Sequence, residues 1–271
     1  MWRLPVRSVV CRRLSAAVRR ALITMLLTVC VSSTAAAAGQ RLAVPGVTGE
    51  DNRVISDSRA HPWRAIGRLN STLGGFCTAT VIGPRRVLTA AHCLWNKRTG
   101  RWLPPCALHF LADYRRGEYA VHALVAGFHI GEGFDMRRRD RANDWAIITL
   151  DRDVSASTGA LDLATHAAAS GDALIQAGYS RDRRHVLTVD RSCKVVADYR
   201  RQGLFTHDCD ATFGDSGSPI LVSTEQGYRL TGMHTALFGR GEKAQGIAVS
   251  AQAFRGWVEA NPVTRPPGGV K

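Results

Sequence analysis

The sequence predicts an all-β protein, and three features of the chain support that prediction. From Pro62 onward, short apolar runs alternate with breaks rich in glycine, proline or charge, as expected of many short strands joined by turns. No long amphipathic helix interrupts the middle of the chain, which argues against strands alternating with helices around a parallel sheet. A single helix is expected at the end, where Ser250 can cap it and Asn261-Pro262 ends it. Representative strand-like runs are WRAIGRL (63–69), FCTATVI (76–82), WAIITL (145–150) and YRLTGMHTA (228–236).

The first 38 residues have the organisation of a secretory signal peptide. Residues 1–20 carry six arginines and no acidic residue, and the apolar run ALITMLLTVCV (21–31) follows them. Ala36 and Ala38 then provide the small residues of a cleavage site after Ala38. The alternative is an uncleaved membrane anchor, but a bilayer span needs roughly 20 apolar residues. We therefore expect cleavage, a secreted or periplasmic protein, and no stable association with a membrane afterwards.

The remaining chain has the size and charge of one secreted domain or two small ones. Loss of residues 1–38 lowers the number of lysines and arginines from 36 to 30 and the formal net charge from +14 to +8. No basic stripe interleaved with aromatic residues and no nucleic-acid-binding motif is present, so we expect no nucleic-acid partner. We expect residues 39–52 to form an N-terminal arm or a short propeptide, residues 53–261 to fold, and residues 262–271 to form a flexible tail.

Three motifs carry candidate catalytic residues. The motif GDSGSP (214–219) places Ser216 between small residues, where a tight turn can expose its hydroxyl and direct the N–H groups of Gly214 and Ser216 toward one point. The motif TAAHC (89–93) places His92 at the end of an apolar run, as expected of a rigidly held base. In NDWAIITL (143–150), Asp144 stands at the start of a strongly apolar strand, where a partly buried carboxylate needs a partner such as a histidine N–H.

Taken together, the order His92, Asp144, Ser216 and the surroundings of each residue resemble the chymotrypsin-like serine peptidase family. The resemblance covers roughly residues 53–260. It implies two perpendicular six-stranded antiparallel β-barrels with a short C-terminal helix and a Ser-His-Asp triad in the cleft between the barrels. It also implies a secreted serine endopeptidase that acts on protein or peptide substrates as a monomer, without a cofactor or metal. An α/β-hydrolase esterase is excluded because its triad runs in the opposite order.

Five cysteines follow the predicted signal peptide, which leaves two pairs and one odd thiol. The resemblance implies a histidine-loop disulfide between Cys77 and Cys93. Cys193 and Cys209 would then close a loop just before the nucleophile turn, and Cys106 would be unpaired.

The segment GEDNRVISDSRAHPWRAIGRL (49–69), the GSP after the nucleophile and the GMHTA strand are similar to bacterial glutamyl endopeptidases. In those relatives the histidine that matches His234 binds an acidic substrate side chain, and Thr235 follows it here. Asp210, six residues before Ser216, matches the aspartate that selects arginine or lysine in trypsin-like members. We therefore assign Asp210, His234 and Thr235 to substrate binding, and the choice between acidic and basic substrate residues stays open.

Two starts of the mature chain are open. Cleavage after Ala38 can give the final protein, with the arm packed outside the barrels. Alternatively, further cleavage before Val47 can free an amine that pairs with Asp215, as the resemblance implies for family members that are activated by processing.

Overall fold

The structure is a computed structural model that describes residues 44–138, 140–239 and 241–263. The predicted signal peptide, the first residues of the arm and the end of the predicted tail lie outside these ranges. Among the residues described, no helix is long and apolar enough to cross a membrane.

The first half of the folded chain forms a closed six-stranded barrel in which all neighbouring strands are antiparallel. Its buried side chains include Ile66, Leu88, Phe110 and Ile148, all fully enclosed. A two-stranded hairpin, β5 (Trp95–Asn96) and β6 (Arg101–Trp102), projects from it. In spatial order, the barrel strands are β2 (Ile66–Ser71), β3 (Phe76–Gly83), β4 (Arg86–Thr89), β9 (Ala146–Leu150), β8 (Val121–Ile130) and β7 (Leu108–Ala112).

The second half also forms a closed six-stranded antiparallel barrel, because β11 pairs with both β10 and β12. The short strand β1 (Val54–Ile55) adds to the outer side of β11. The two barrels confirm the all-β architecture that the sequence resemblance implies. In spatial order, the strands are β11 (Thr188–Tyr199), β10 (Ala173–Gly178), β13 (Pro219–Thr224), β14 (Gly227–Phe238), β15 (Gln245–Ser250) and β12 (Leu204–His207).

Helices are few and short in the part of the chain that the structure describes. The helix α1 (Ser155–Thr158) is one turn long, and α2 (Ala251–Ala260) is the predicted C-terminal helix. Ser250 caps α2 as expected, since its hydroxyl accepts a hydrogen bond from the backbone N–H of Gln252. Phe254 is fully buried and anchors this helix to the core.

The disulfide predictions are confirmed. Cys77 is bonded to Cys93, and Cys193 is bonded to Cys209. Cys106 is exposed and is the one free thiol among the cysteines that the structure describes. The first disulfide ties β3 to the turn that carries His92, and the second holds β11 to the segment that leads toward Ser216.

Candidate active site

His92 lies on a single 3-10 turn, Ala91–Leu94, directly after strand β4. The turn is fixed from both sides, because Ala91 and Leu94 are fully buried and Cys93 is bonded to β3. The His92 side chain remains 24% exposed. A rigid turn therefore presents the imidazole at the surface of the first barrel.

Asp144 holds His92 through two hydrogen bonds. Its Oδ2 lies 2.8 Å from His92 Nδ1, and its Oδ1 accepts the backbone N–H of the same histidine at 2.9 Å. The Asp144 side chain is 10% exposed, so this contact is largely shielded from water. The contact places the ring proton on Nδ1 and leaves Nε2 free to accept a proton.

Ser216 is fixed beside the same pair of strands. Its carbonyl accepts the N–H of Thr78 on β3 at 2.9 Å, and Thr78 O accepts the hydroxyl of Thr89 at the end of β4 at 2.8 Å. The next residue, Gly217, donates its N–H to the carbonyl of His234 at 2.8 Å. The turn that carries Ser216 is thus attached to the first barrel on one side and to the second barrel on the other.

The hydroxyl of Ser216 makes no hydrogen bond to His92 among the contacts between described residues. In serine peptidase geometry this bond is often long without substrate and shortens in the substrate complex. The sequence predicted all three residues of this candidate triad, and the structure gathers their segments at one edge of the first barrel.

The turn before Ser216 leaves two backbone N–H groups free. The carbonyl of Phe213 accepts the N–H of Arg181 at 2.6 Å, and the carbonyl of Asp215 accepts the N–H of Ser218 at 2.8 Å. Because a trans peptide directs its C=O and N–H in opposite directions, the N–H groups of Gly214 and Ser216 face away from these partners. Neither N–H donates to any acceptor in the described ranges, and this is the arrangement required of a site that binds an oxyanion.

Gly214 is required at its position. Its φ is 96°, and a Cβ there would lie 2.5 Å from the carbonyl oxygen of Tyr179 and 2.7 Å from the ring of Phe76. The hydroxyl of Thr78 donates to Gly214 O at 3.0 Å and fixes the following peptide.

His234 forms a buried pair with His207, which sequence reasoning missed. His234 Nδ1 lies 3.1 Å from His207 Nε2, and each ring is at most 2% exposed. Burial lowers the pKa of His207 to about 3. Burial, together with the neighbouring His207 and His92, lowers the pKa of His234 well below its ordinary value. Both rings are therefore neutral at neutral pH.

Thr235 lines a cavity of about 260 Å³ that also contains His92 and Asp144. Its hydroxyl donates to Ile247 O at 3.4 Å. Of the three residues assigned to substrate binding, Thr235 is the one that lines this cavity beside His92 and Asp144.

The carboxylate of Asp210 is hydrogen-bonded to the N-terminal arm, whereas a residue at the base of an open pocket would face the substrate. Its Oδ1 accepts the backbone N–H of Thr48 at 3.1 Å, and its Oδ2 accepts the N–H of Asn52 at 2.8 Å. The residue is 2% exposed, and burial raises the pKa of its carboxyl. Its sequence position predicted a contact with substrate, whereas both carboxylate oxygens bind the N-terminal arm.

His92 also lines a second cavity, of about 350 Å³. Phe76, whose ring lies close to Gly214, is part of the wall of this cavity. Apolar side chains line much of it, and Lys97 and Arg98 contribute positive charge. Lys97 and Arg98 belong to no motif recognised in the sequence, because they lie in the turn between β5 and β6 and reach the cavity only through the fold.

Cys77, His92 and Cys93 place three donor atoms within 4.8 Å of one another. The two sulfur atoms are bonded to each other, so they are not thiolates and do not form a metal-binding set with His92.

The sequence profile of the trypsin family, described as "Trypsin", matches residues 53–258. The chain is 23% identical over 223 residues to a glutamyl endopeptidase of Bacillus licheniformis, covering 78% of this chain and 67% of that protein. It is 28% identical to trypsin epsilon of Drosophila erecta over 74% of this chain and 82% of that protein. With human kallikrein-4 it shares 27% identity over 79% of this chain and 89% of the relative.

Among solved structures, the fold is similar to that of a Glu endopeptidase in complex with MPD, with a TM-score of 0.68 and 22% sequence identity. The similarity covers 79% of this chain and all of the other. With the family profile extending across both barrels, the chain belongs to the trypsin family of serine endopeptidases.

Proposed function

We propose that the protein is a secreted endopeptidase that hydrolyses peptide bonds with Ser216, His92 and Asp144 as its catalytic triad. The observation that carries the proposal is the double contact of Asp144 with His92, at 2.8 and 2.9 Å, beside the fixed turn of Ser216. That contact sets the tautomer in which Nε2 can take the proton of a serine hydroxyl.

In this mechanism, His92 removes the proton from Ser216 as its oxygen attacks the peptide carbonyl. The negative oxygen of the tetrahedral intermediate accepts the N–H groups of Gly214 and Ser216, which have no other partner within the described chain. His92 then protonates the leaving amine, and water attacks the acyl-enzyme in a second, equivalent cycle. Each step uses side chains and backbone groups of this chain, so the chemistry requires no metal or organic cofactor.

For the residue on the acyl side of the cleaved bond, we propose a preference for glutamate. The positions of the protons on the buried pair of His207 and His234 support this preference. If His234 Nδ1 carried the shared proton, a hydrogen on His207 Nδ1 would be buried without an acceptor, because that atom has no partner. The favoured state puts the proton on His207 Nε2 and leaves His234 with its own proton on Nε2. His234 is then a donor, suited to a substrate side chain that accepts hydrogen bonds.

The position of Asp210 supports the same preference. A trypsin-like selector for lysine or arginine needs a carboxylate that is free to meet the substrate cation. Here both oxygens of Asp210 accept N–H groups of the arm. A carboxylate substrate would gain a charge-assisted hydrogen bond at His234, which is about twice as strong as a neutral one.

Cleavage of matched peptides tests the two parts of the proposal. Ser216→Ala should lower kcat by on the order of 10⁴-fold or more, and an organophosphonate should label Ser216 in the wild type. Among peptides that differ only in the residue before the cleaved bond, kcat/KM should rank glutamate above glutamine and lysine last. Hydrolysis that survives Ser216→Ala would refute the triad, and preferred cleavage after lysine would refute the specificity.

Secretion and a monomeric state complete the proposal. The charged and apolar pattern of residues 1–38 supports export followed by cleavage after Ala38. Two disulfides support an oxidising compartment, where such bonds persist. Intact mass of the protein from culture medium and light scattering of the same sample measure both properties.

A further inference from the structure

The N-terminal arm runs beside the oxyanion turn and is bonded to the segment that leads into it. Asp210 accepts the N–H groups of Thr48 and Asn52, as described above. In addition, the N–H of Ala211 donates to the carbonyl of Gly46 at 3.1 Å. A Cβ on Gly46 would lie 1.9 Å from Ala211 O, so the two backbones are in close contact. The arm is therefore attached to the residues just before Thr212.

Arg53 attaches the end of the arm to a second segment near the turn. The residue is 4% exposed, and its guanidinium binds Asp182 through two hydrogen bonds of 3.0 and 2.8 Å. It also binds Asp51, and Arg183 donates to both Asp51 and the carbonyl of Arg53. Burial alone would lower the pKa of Arg53. The carboxylates of Asp51 and Asp182 outweigh this effect, so the pKa lies above its ordinary value. Arg53 is thus a permanently charged group held on two sides.

Both attached segments meet at Asp215, between the two N–H groups of the candidate oxyanion site. Asp215 Oδ2 accepts the hydroxyl of Ser180 at 2.7 Å and the N–H of Thr212 at 2.8 Å. Its carboxylate has no cation within 4.0 Å in the described ranges, although it is only 2% exposed. The pKa of Asp215 is raised to about 6, chiefly by burial, although the hydrogen bonds from Thr212 and Ser180 and the charge of Arg53 act in the opposite direction.

We infer that Arg53 and Asp210 form an internal clamp that positions the oxyanion turn through the two segments that bind Asp215. The inference rests on the proposed peptidase function. An ionised Asp215 accepts hydrogen bonds from Ser180 and Thr212 and so holds the two segments together. Arg53 and Asp210 are both positioning residues, since they act through Asp215 and the turn rather than on the substrate.

The clamp makes catalytic competence independent of a new amine at Val47. In the structure the N–H of Val47 donates to Val44 O at 3.1 Å. The contacts of Thr48, Asn52 and Arg53 all lie beyond that point, so they do not depend on cleavage before Val47. Cleavage before Val47 would remove the contact of Gly46 with Ala211, so the inference favours the start after Ala38.

The test compares the Arg53→Gln and Arg59→Gln variants of the secreted enzyme, after loss of the signal peptide and with the N-terminal arm intact. Arg59 is a matched control because it pairs with Asp57 at an exposed site, where the two side chains are 61% and 51% exposed. Arg53→Gln should lower kcat about tenfold or more with little change in KM, and the acidic limb of the kcat–pH profile should move to higher pH. That shift follows from the loss of a positive charge near Asp215. Arg59→Gln should match the wild type.

Two further variants separate the clamp from a general loss of folding. Arg53→Lys keeps the charge but not the planar fork, so it should recover part of kcat and return the acidic limb toward that of the wild type. Asp210→Asn should lower kcat by the same factor for glutamate and lysine peptides. If Arg53→Gln and Arg59→Gln share one kcat and one pH profile, the clamp is refuted. A change of substrate preference in Asp210→Asn, or activity confined to molecules that start at Val47, would refute it as well.

Labelling of Ser216 by an organophosphonate keeps the two proposals apart. A wild-type enzyme that is neither labelled nor active contradicts the peptidase function itself. A labelled, active wild type combined with an unaffected Arg53→Gln variant contradicts the clamp alone.

Discussion

Gly217 lies so close to Thr78 that a Cβ on the glycine would be 2.1 Å from the carbonyl oxygen of Thr78 and 2.4 Å from the hydroxyl of Thr89. This contact joins the turn that carries Ser216 to strands β3 and β4. Its φ is 86°, a conformation that residues with a side chain rarely adopt. Gly217 is therefore fixed by both its backbone conformation and its neighbours.

Gly217→Ala should consequently lower both stability and activity. The positive φ alone costs on the order of 1–3 kcal/mol for a residue with a side chain, and the contact with backbone atoms adds to that cost. The matched control is Gly227→Ala, because Gly227 has a φ of 103° with nothing within 4 Å of an added Cβ. Urea unfolding should show a clearly larger loss for Gly217→Ala, and equal losses for the two variants would contradict the packing argument.

Asp144→Asn should lower kcat by about 10⁴-fold at neutral pH while the fold persists. An amide at this position can donate to Nδ1 of His92 and so favour the tautomer in which Nε2 is already protonated. Asp151→Asn is the control, since Asp151 forms an ion pair with Arg152 in which the arginine is 62% exposed. Steady-state kinetics and circular dichroism of both variants measure the effect. Retention of wild-type kcat by Asp144→Asn would remove Asp144 from the mechanism.

Asp215 should make stability fall as the pH rises from about 4 to 6. Its folded pKa of about 6 lies above the ordinary value of 3.8, so the native state holds the proton over a range where the unfolded chain has released it. The contribution of this group is complete below the unfolded pKa and is lost as the pH rises through the folded pKa. It amounts to about 3 kcal/mol. Relative to the wild type, Asp215→Asn should flatten the unfolding free energy over this pH range, whereas parallel curves would contradict the assignment.

The 350 Å³ cavity borders His92, which protonates the leaving amine in the proposed mechanism, so we expect this cavity to receive the residue just after the cleaved bond and to favour an acidic or apolar one. Its lining contains Lys97 and Arg98 and no carboxylate. Opposite charges attract across such an exposed site, but water and salt limit the gain to about 1 kcal/mol or less. Peptides with glutamate rather than lysine just after the cleaved bond should therefore have a severalfold higher kcat/KM. Arg98→Gln together with Lys97→Gln should reduce that difference, and an unchanged ratio would assign the preference elsewhere.

The sequence was informative wherever function depends on a local segment. The surroundings of His92, Asp144 and Ser216 are each short motifs, so the candidate triad was found without coordinates. The family resemblance implied the cysteine pairs, and the local pattern after Ser250 predicted the C-terminal helix; the structure confirms both.

The contacts that the sequence did not predict join distant parts of the chain. Thr48 and Asp210 are 162 residues apart, and the aspartate is bound by a backbone N–H, which every residue except proline offers. Sequence position could align Asp210 with a selector of substrate, but it could not show what its oxygens face. His207 and His234 lie on β12 and β14, which do not pair with each other but both pair with β15. Gly246 on β15 leaves room for the His207 ring between them, since a Cβ there would lie 2.1 Å from that ring.

Closure of both barrels also bears on the behaviour of the protein at high concentration. Each of the twelve barrel strands has a hydrogen-bonded neighbour on both sides, and the strands outside the barrels, β1, β5 and β6, are each only two residues long. An unpaired strand edge is the usual template for the addition of another chain, and barrels remove such edges. In its described part, the folded chain therefore offers little backbone for self-association into fibrils. Aggregation would first require one barrel to open.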